Sequence, residues 1–440
     1  MKKFALFFIG ITLLLSACKK ETDYIFDQTP DERINAALAK YQAILTGAEN
    51  GWKAYITVAN DAKSVYGFYF KFTNTNRVSM VSDFDTTSAK TLQESSYRLR
   101  QQQQPTLIFD TYSYVHVLAD PNEDNLGVVS NVNGGPVGQG LLSDFEFIFD
   151  RDSITTDTLK MVGKVNGAKL TLIRATKTEA DFYTGGQWTN LVAKYISNFL
   201  TYYQRLTIDG ISYDIRLDKQ NRTITFSWLD GGNLQSHTTG FYNTTAGLVL
   251  ISPVQNGSQT ISSLNVDNWN ASTQTLTIKS GDKTGEIKET ILPVKIDTDA
   301  PNRWIQYVID NDGYWAAWDG FHVNGVDDAY AINSLSKYYY LVYWPEYDPG
   351  NDFFAPIFLN ADNTALTLKY GAAITHSIGT DGLIKFTLLG NYGSYPTTGP
   401  ARLSRNQLVI PEGYYLVQTS LTTYDMVSAK DGKAWITWFF

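Results

Sequence analysis

Short runs of alternating apolar and polar residues, separated by turn dipeptides, fill the chain from Gly210 onward. They include "TIDGISYDI", "NASTQTLTI" and "IGTDGLIKFTLL". Alternation of this kind indicates half-buried strands. Runs repeating about every 8–12 residues, with Gly, Asn and Asp between them, indicate antiparallel sheet and not βαβ units. The pattern therefore predicts a body built mainly from antiparallel β-sheet.

Two segments depart from this pattern with helical spacing. The sequence "TPDE" at 29–32 predicts a capping box with proline at the first helical position, and apolar residues recur at helical intervals through 34–45. A second apolar series at 192–203 follows another predicted capping box, "TKTE" at 176–179. The predicted fold class is therefore α+β and β-rich, with a few amphipathic helices packed on antiparallel sheets.

The two helical segments introduce similar hairpins. "FTNTNR" at 72–77 is followed by Ser82, and "LDKQNR" at 217–222 is followed at the same distance by Ser227. This weak internal repeat predicts two repeat-like domains, each a helix with antiparallel sheet, at 29–176 and 177–440. A chance similarity between two Asn-Arg hairpin turns is the alternative.

The N-terminus carries an export signal. Lys2 and Lys3 precede the apolar stretch 4–15, which is shorter than the about 20 residues that span a bilayer as a helix. The sequence "LSAC" then resembles the lipobox of bacterial lipoproteins, in which the signal is cut before the cysteine and the cysteine is acylated. We expect a signal peptide at 1–17 and a lipidated Cys18 with a polar tether at 18–28. Cys18 is the one cysteine of the chain, so the acylated protein would have no disulfide.

The composition restricts the classes of molecule that the chain is expected to bind. The net charge of −8 argues against nucleic acid, because phosphate binding needs clustered Lys and Arg. Charged residues make up only 18% of the chain, whereas aromatic residues reach 14%. Aromatic and β-branched residues suit half-buried strands, and the composition is typical of a β-rich protein outside the cytoplasm.

Several phrases together resemble an uncharacterised family of Bacteroidetes lipoproteins, domain of unknown function 4302. They are the lipobox, "DERINAALAKYQAILTGAENGWKAYI", "PTLIFDTYSYVHVLADPN" and "MVGKVNGAKLTLIRAT". The resemblance runs over most of the mature chain. It implies an accessory role beside a TonB-dependent transporter and a SusD-like lipoprotein. It implies no catalytic residues, because the family has none established.

No signature of catalysis or of a cofactor is present in the sequence. The histidines, at 116, 237, 322 and 376, are far apart and form no HExxH pattern. Acidic turns at 120–125, 310–313 and 348–352 could offer oxygen ligands to calcium, but plain turn chemistry explains them equally well. We expect no cofactor, with calcium as the alternative, and no enzyme activity.

Aromatic clusters offer a different chemistry. Sugar rings stack on Trp and Tyr, while Asn, Asp and Gln bind the hydroxyls. The candidate ligand-binding residues form one group near 315–319 and one near 339–344: Trp315, Trp318, Asp319, Tyr339, Tyr343 and Trp344. Packing of these rings between sheet and helix is the alternative. The segment 300–321 is read either as a helix interrupted at Gly313 or as two aromatic strands.

These observations combine into one functional expectation. The chain is expected at the outer membrane, held by its lipid anchor and facing outside the cell, as a non-catalytic accessory in the capture of a glycan or peptide beside a TonB-dependent uptake system. A structural docking partner of the transporter with no small ligand is one alternative. A hydrolase is the other.

The lipid anchor gives the first prediction. Cys18→Ser removes the sulfur that would be acylated, so we expect the protein to leave the membrane pellet and appear in the soluble fraction after cell fractionation. Mass spectrometry of the wild-type protein should show acyl chains on the peptide that begins at Cys18. An unacylated, freely soluble wild-type protein would contradict the prediction.

Overall fold

The computed structural model describes residues 29–59, 64–122, 138–188, 190–219 and 222–440. The predicted signal peptide, Cys18 and the tether lie outside the described residues. Every pairing between the strands named below is antiparallel, and helices are few and short beside the sheets. The predicted α+β, β-rich fold class is therefore confirmed. No helix in the described ranges has both the length and the apolar character needed to cross a membrane.

The first barrel closes because its eighth strand pairs with its first. Alternate residues of the first strand, Trp52, Ala54 and Ile56, are buried in its core. The preceding helix packs its C-terminal half on this core, where Tyr41 stacks on Phe149 at 4.2 Å between ring centroids. The elements are α1 Pro30–Thr46, β1 Trp52–Thr57, β2 Val65–Phe72, β3 Arg77–Ser82, β4 Gln93–Gln101, β5 Pro105–Phe109, α2 Tyr114–Val117, β6 Glu146–Phe149, β7 Thr158–Gly163 and β8 Lys169–Arg174.

The second barrel closes in the same way, with its first strand paired to its eighth. Two short helices precede it, and the expected helical series 192–203 is only partly helical, since α4 ends at Ile196 and Tyr203 begins a strand. The elements are α3 Lys177–Thr184, α4 Leu191–Ile196, β9 Tyr203–Ile208, β10 Ile211–Asp218, β11 Thr223–Asp230, β12 Asn233–Asn243, β13 Gly247–Asn256, β14 Gln259–Asn270, β15 Thr275–Ser280 and β16 Lys283–Thr290.

The third sheet has ten strands, and β17 pairs with β19 and meets β26 through the one pair Ala316–Phe439. The segment 300–321 combines both sequence-based alternatives: a helix ends at Asp310, and a short aromatic strand follows Gly313. The elements are α5 Ala300–Asp310, β17 Trp315–Ala317, β18 His322–Val323, β19 Tyr338–Asp348, β20 Asn351–Leu359, β21 Leu366–Leu368, β22 Gly371–Ile378, β23 Ile384–Tyr392, α6 Pro400–Leu408, β24 Tyr414–Ser420, β25 Thr423–Ser428 and β26 Ala434–Phe439.

Both predicted capping boxes are present. The Thr29 hydroxyl accepts from the Glu32 N–H at 3.3 Å, while the Glu32 carboxylate accepts from the Thr29 N–H at 2.9 Å. Thr176 and Glu179 repeat this arrangement at the start of α3, with the same two distances. Each box satisfies backbone donors that the first turn of a helix leaves without partners.

The predicted repeat has a structural counterpart. The two similar hairpins connect β2 with β3 and β10 with β11, which are the second and third strands of the first and second barrels. Among the described residues of the two turns, Asn76 (φ 58°) is left-handed in one and Arg222 (φ 50°) in the other, one position later in the sequence match. The segment 177–440 contains two sheets, the closed second barrel and the ten-stranded third sheet.

A buried ion pair joins the first two barrels. The Arg222 Nη2 donates to Asp83 Oδ2 at 2.6 Å, and Asn243 Nδ2 donates to the same oxygen at 3.1 Å. The guanidinium also lies over the Tyr66 ring, 4.7 Å from its centroid. Burial lowers the pKa of Arg222, but the charge and hydrogen bond of Asp83 outweigh this effect, and the pKa is raised above its ordinary value.

Trp188 fills the space beside this pair. Gly67 on β2 has no side chain, and a Cβ there would lie 2.5 Å from the Trp188 ring. The Gly67 N–H donates to Asp83 Oδ1 at 2.9 Å. The junction therefore depends on a glycine, a tryptophan and a buried charge pair that fit one another closely.

Loss of the buried cation should weaken the junction. In Arg222→Met, the Asp83 carboxylate stays buried without its partner, and we expect the free energy of unfolding to fall by about 3–5 kcal/mol. Chemical denaturation followed by tryptophan fluorescence measures this change. The matched control is Arg77→Met, which removes the exposed pair of Arg77 with Glu94 and should cost less than about 1 kcal/mol. Equal losses in the two variants would contradict the prediction.

Candidate functional site: an aromatic ladder on the third sheet

The third sheet separates the six predicted ligand-binding residues onto its two faces. Trp315 and Tyr343 are fully buried in the core. Both stack on Trp304 of α5, with ring centroids 5.7 and 4.8 Å away and interplanar angles of 9°. Neither side chain can contact a ligand at the surface. Their role is to pack the helix against the sheet.

The other four predicted residues lie on the outside of the third sheet. Trp318 and Tyr339 are 48% and 40% exposed, and their rings contact each other at 5.4 Å. Asp319 is exposed beside them and accepts a hydrogen bond from Asn333 Nδ2 at 3.2 Å. Trp344 is half-buried on the same outer face, next to a second group of rings.

A register shift in β19 decides which tyrosines face outward. Strict alternation would place Tyr338 and Tyr340 on one face. The pairing with β20 shifts between these two residues, so Tyr338 packs against the core and Tyr340 joins the outer cluster. Tyr338 and Tyr340 therefore do not share a face, because a β-bulge interrupts the alternation.

The rings on the outer face form one continuous set, in which Trp318, Tyr339 and Tyr347 are exposed whereas Tyr340 and Phe353 are buried. Neighbouring centroids lie between 4.7 and 6.1 Å apart, from Trp318 at one end to Tyr347 and Tyr392 at the other. Along β19, the stretch from Tyr339 to Tyr347 corresponds to about 25 Å. We call the following eight rings the aromatic ladder: Tyr314, Trp318, Tyr339, Tyr340, Trp344, Tyr347, Phe353 and Tyr392.

Polar groups lie within and beside the aromatic ladder. The hydroxyls of Tyr314 and Tyr340 are 2.7 Å apart, and the Tyr392 hydroxyl donates to Asp348 Oδ2 at 2.6 Å. Burial and then the bond to Tyr314 raise the pKa of Tyr340, and the bond to Asp348 raises the pKa of Tyr392 to about 12. Both phenols are therefore neutral at physiological pH. The surface offers apolar ring faces together with hydroxyl, amide and carboxylate groups.

The acidic turns considered for calcium have protein partners. Asp310 accepts from Gln306 at 2.7 Å. Asp352 accepts from the Tyr343 hydroxyl at 2.9 Å and lies 2.6 Å from His376 Nδ1. In the described ranges, no three His, Cys, Asp or Glu side chains come together as a metal site would require. Residues 123–125 of the remaining turn lie outside those ranges.

Comparison with known proteins identifies the family. A family profile described as domain of unknown function (DUF4302) matches residues 22–270, more than half of the chain. The chain belongs to this family. The DUF4302 match covers the first barrel and ends with β14 of the second, so the aromatic ladder lies beyond it. Nothing among the curated proteins matches the chain.

Two solved structures align weakly with the DUF4302 chain. The Helicobacter pylori beta clamp bound to a DNA ligase peptide shares 8% identity over 93% of this chain and 97% of that one, with a TM-score of 0.16. The PCNA2–PCNA3 complex from Sulfolobus tokodaii shares 10% identity over 57% of this chain and 93% of that one, with a TM-score of 0.14. Scores this low carry no information about the fold or the function.

Five members of the ladder are not among the six residues predicted from the sequence: Tyr314, Tyr340, Tyr347, Phe353 and Tyr392. Tyr314 has a recognisable signal, because a period of two places it on the same strand face as Trp318. Phe353 and Tyr392 have none, since they come from β20 and β23 and reach the ladder through strand pairing. Pairing partners at this sequence distance are fixed by the sheet and not by local pattern.

Truncation of a ring on the inner face of the third sheet should lower the free energy of unfolding more than truncation of a ring on the outer face. Trp315→Ala removes a fully buried indole and should lower the free energy of unfolding by about 3–5 kcal/mol. Trp318→Ala removes a half-exposed ring and should change it by less than about 1 kcal/mol. Chemical denaturation of both variants measures the difference. Similar costs would show that the assignment of inner and outer faces is incorrect.

Proposed function

We propose that this chain is a lipid-anchored protein of the outer membrane, facing outside the cell, that captures glycans without transforming them. The aromatic ladder is the binding surface, and a neighbouring TonB-dependent transporter with a SusD-like lipoprotein receives the ligand. The lipobox at Cys18 supports the anchor, and the resemblance to Bacteroidetes lipoproteins supports the neighbourhood. The continuous set of outward rings is the single observation that carries the binding role.

The chemistry of the ladder suits a neutral glycan. Pyranose rings present apolar C–H faces and polar edges, which match a surface of ring faces flanked by a few hydrogen-bonding groups. Asp319 and Asn333 lie at one end of the ladder, and Asp348 lies at the other. Since the ladder extends for about 25 Å, a chain of several sugar units fits it better than a single sugar.

A protein-docking role is the second candidate, and one observation favours it. Leu368 pairs with Ile357 and Leu366 pairs with Leu359, so two exposed leucines extend the outer face beyond the rings. Leucine offers no hydrogen bonds to a sugar, whereas the cores of protein interfaces combine apolar and aromatic side chains. On this alternative, the ladder contacts the transporter directly and binds no small ligand.

A glycan array tests the proposal with the soluble form that begins at Lys19. We expect retention of neutral polysaccharides. Trp318→Ala and Tyr347→Ala should each weaken binding about two- to tenfold, because an aromatic contact contributes about 0.5–1.5 kcal/mol. The matched control is Tyr112→Ala, which removes a tyrosine that is 56% exposed on the first barrel and should leave affinity unchanged.

The remaining outcomes decide between the functions. Glycan capture would be overturned if the array retains no glycan. Docking would be established if, in addition, the wild-type protein recovers a transporter from outer membranes and Trp318→Ala does not. Release of shorter products from a bound polysaccharide would overturn the non-catalytic role. Glycan binding that survives both ladder variants would place the binding surface elsewhere.

A further inference from the structure

A cavity of about 660 Å³ lies at the junction of the first two barrels. It is separate from the aromatic ladder, which is on the third sheet. Its apolar lining comes from Phe84, Phe182, Trp188, Leu191 and Phe241. The volume falls within the range of pockets that hold small molecules, and such pockets combine apolar walls with a few polar groups.

The rim of this cavity is cationic. Lys90, Lys194 and Lys219 line it and are exposed, and none of them forms an ion pair with a carboxylate of the described residues. Lys194 extends over the Tyr195 ring, 5.6 Å from its centroid. Asp85 is a carboxylate on the same lining, and it accepts from the Ser88 N–H at 2.6 Å.

The floor of the cavity adds no net charge, because Asp83 and Arg222 neutralise each other. The lining therefore carries the charges of three lysines and of one remaining carboxylate, Asp85, and its net charge is positive. The whole chain, in contrast, has a net charge of −8. A local reversal of sign in a partly enclosed site attracts anions, since the low-dielectric walls concentrate the field.

The polar groups at the floor are incompletely paired. Within the described part of the chain, Trp188 Nε1, Arg222 Nε and Asn243 Oδ1 are buried atoms without a hydrogen-bond partner. All three residues line the cavity. Buried polar atoms are nearly always paired, so a cluster of exceptions beside a cavity suggests that water or a ligand completes the set.

We propose that this cavity binds an acidic sugar, a pyranose ring that carries one carboxylate. The aromatic walls would take the apolar face of the ring, and the lysines at the rim would take the carboxylate. This site is independent of the proposed glycan surface on the third sheet. It lies within the stretch that the family profile matches, whereas the ladder does not.

Isothermal titration calorimetry at low salt tests the proposal with the soluble form that begins at Lys19. The probes are methyl glucuronoside, methyl glucoside and inorganic phosphate. We expect binding of the glucuronoside alone, and an affinity that falls as salt is added. Equal binding of phosphate would overturn the sugar assignment, and equal binding of the glucoside would overturn the role of the charge. Failure of the glucuronoside to bind would overturn the proposal.

Variants locate the site. Lys90→Gln with Lys194→Gln should lower glucuronoside affinity at least tenfold, because two of the three rim charges are lost. The matched control is Lys385→Gln with Lys430→Gln, two exposed lysines of the third sheet, which should leave it unchanged. Equal loss in both double variants would show a general charge effect and overturn the assignment.

Two further variants distinguish a loss of binding in this cavity from a loss of folding and from binding at the aromatic ladder. Trp188→Phe keeps an aromatic ring and removes the N–H, so it should lower affinity while the melting temperature shows whether the junction stays folded. Trp318→Ala should leave glucuronoside binding unchanged, and a loss there would place the acidic sugar on the ladder and overturn the proposal for the cavity.

Discussion

Closure of antiparallel sheets is the constraint on which this structure depends. A strand at the edge of a sheet leaves backbone N–H and C=O groups unpaired, and closing the sheet removes both edges at once. The pairing of β1 with β8 and of β9 with β16 achieves this in the two barrels. In the third sheet, β17 meets β26 through one residue pair, and β18 and β21 each pair on one side only. Closure also divides every strand into an inner face, which forms the core, and an outer face, which is left for other contacts.

The outer faces form the contacts between barrels and the candidate sites. Between the first two barrels, Tyr55 and Tyr242 pack at 4.8 Å and the Asp83–Arg222 pair is buried. A buried ion pair adds little to stability overall, but it disfavours any arrangement that leaves one charge unpartnered. On the third sheet, β25 and β26 contact the second barrel, where Arg216 pairs with Asp425. The rings of Trp318, Tyr339 and Tyr347 on β19 and beside it remain exposed.

The predictions from local sequence patterns are confirmed where the structure depends on interactions between residues close together in the chain. The two capping boxes are present because the bonds that form them join residues only three positions apart. The hairpins at Asn76 and Arg222 are also local, and they occupy equivalent places in the two barrels. The helix predicted at 192–203 ends early at Ile196, because the residues after it are drawn into the pairing of β9.

The candidate site was only half predictable. The sequence identified the aromatic segments, and Trp318, Tyr339 and Trp344 lie on the outer face as a ligand surface requires. Trp315 and Tyr343 have the same composition around them but belong to the core. Alternation with a period of two predicts which residues share a face of a strand, but it does not predict which face is buried. The β-bulge in β19 also places residues on opposite faces that strict alternation would place on the same face.

The sequence by itself determined the strand-rich fold class, the starts of the two helices with capping boxes, and the richness in aromatic residues. Only the tertiary structure decided which rings stay outside, how Phe353 and Tyr392 join them, and that Asp83 meets Arg222 across a barrel junction. The physical reason is distance along the chain. Turns and caps are set by neighbours, whereas sheet register, closure and burial depend on contacts between residues that the sequence keeps far apart.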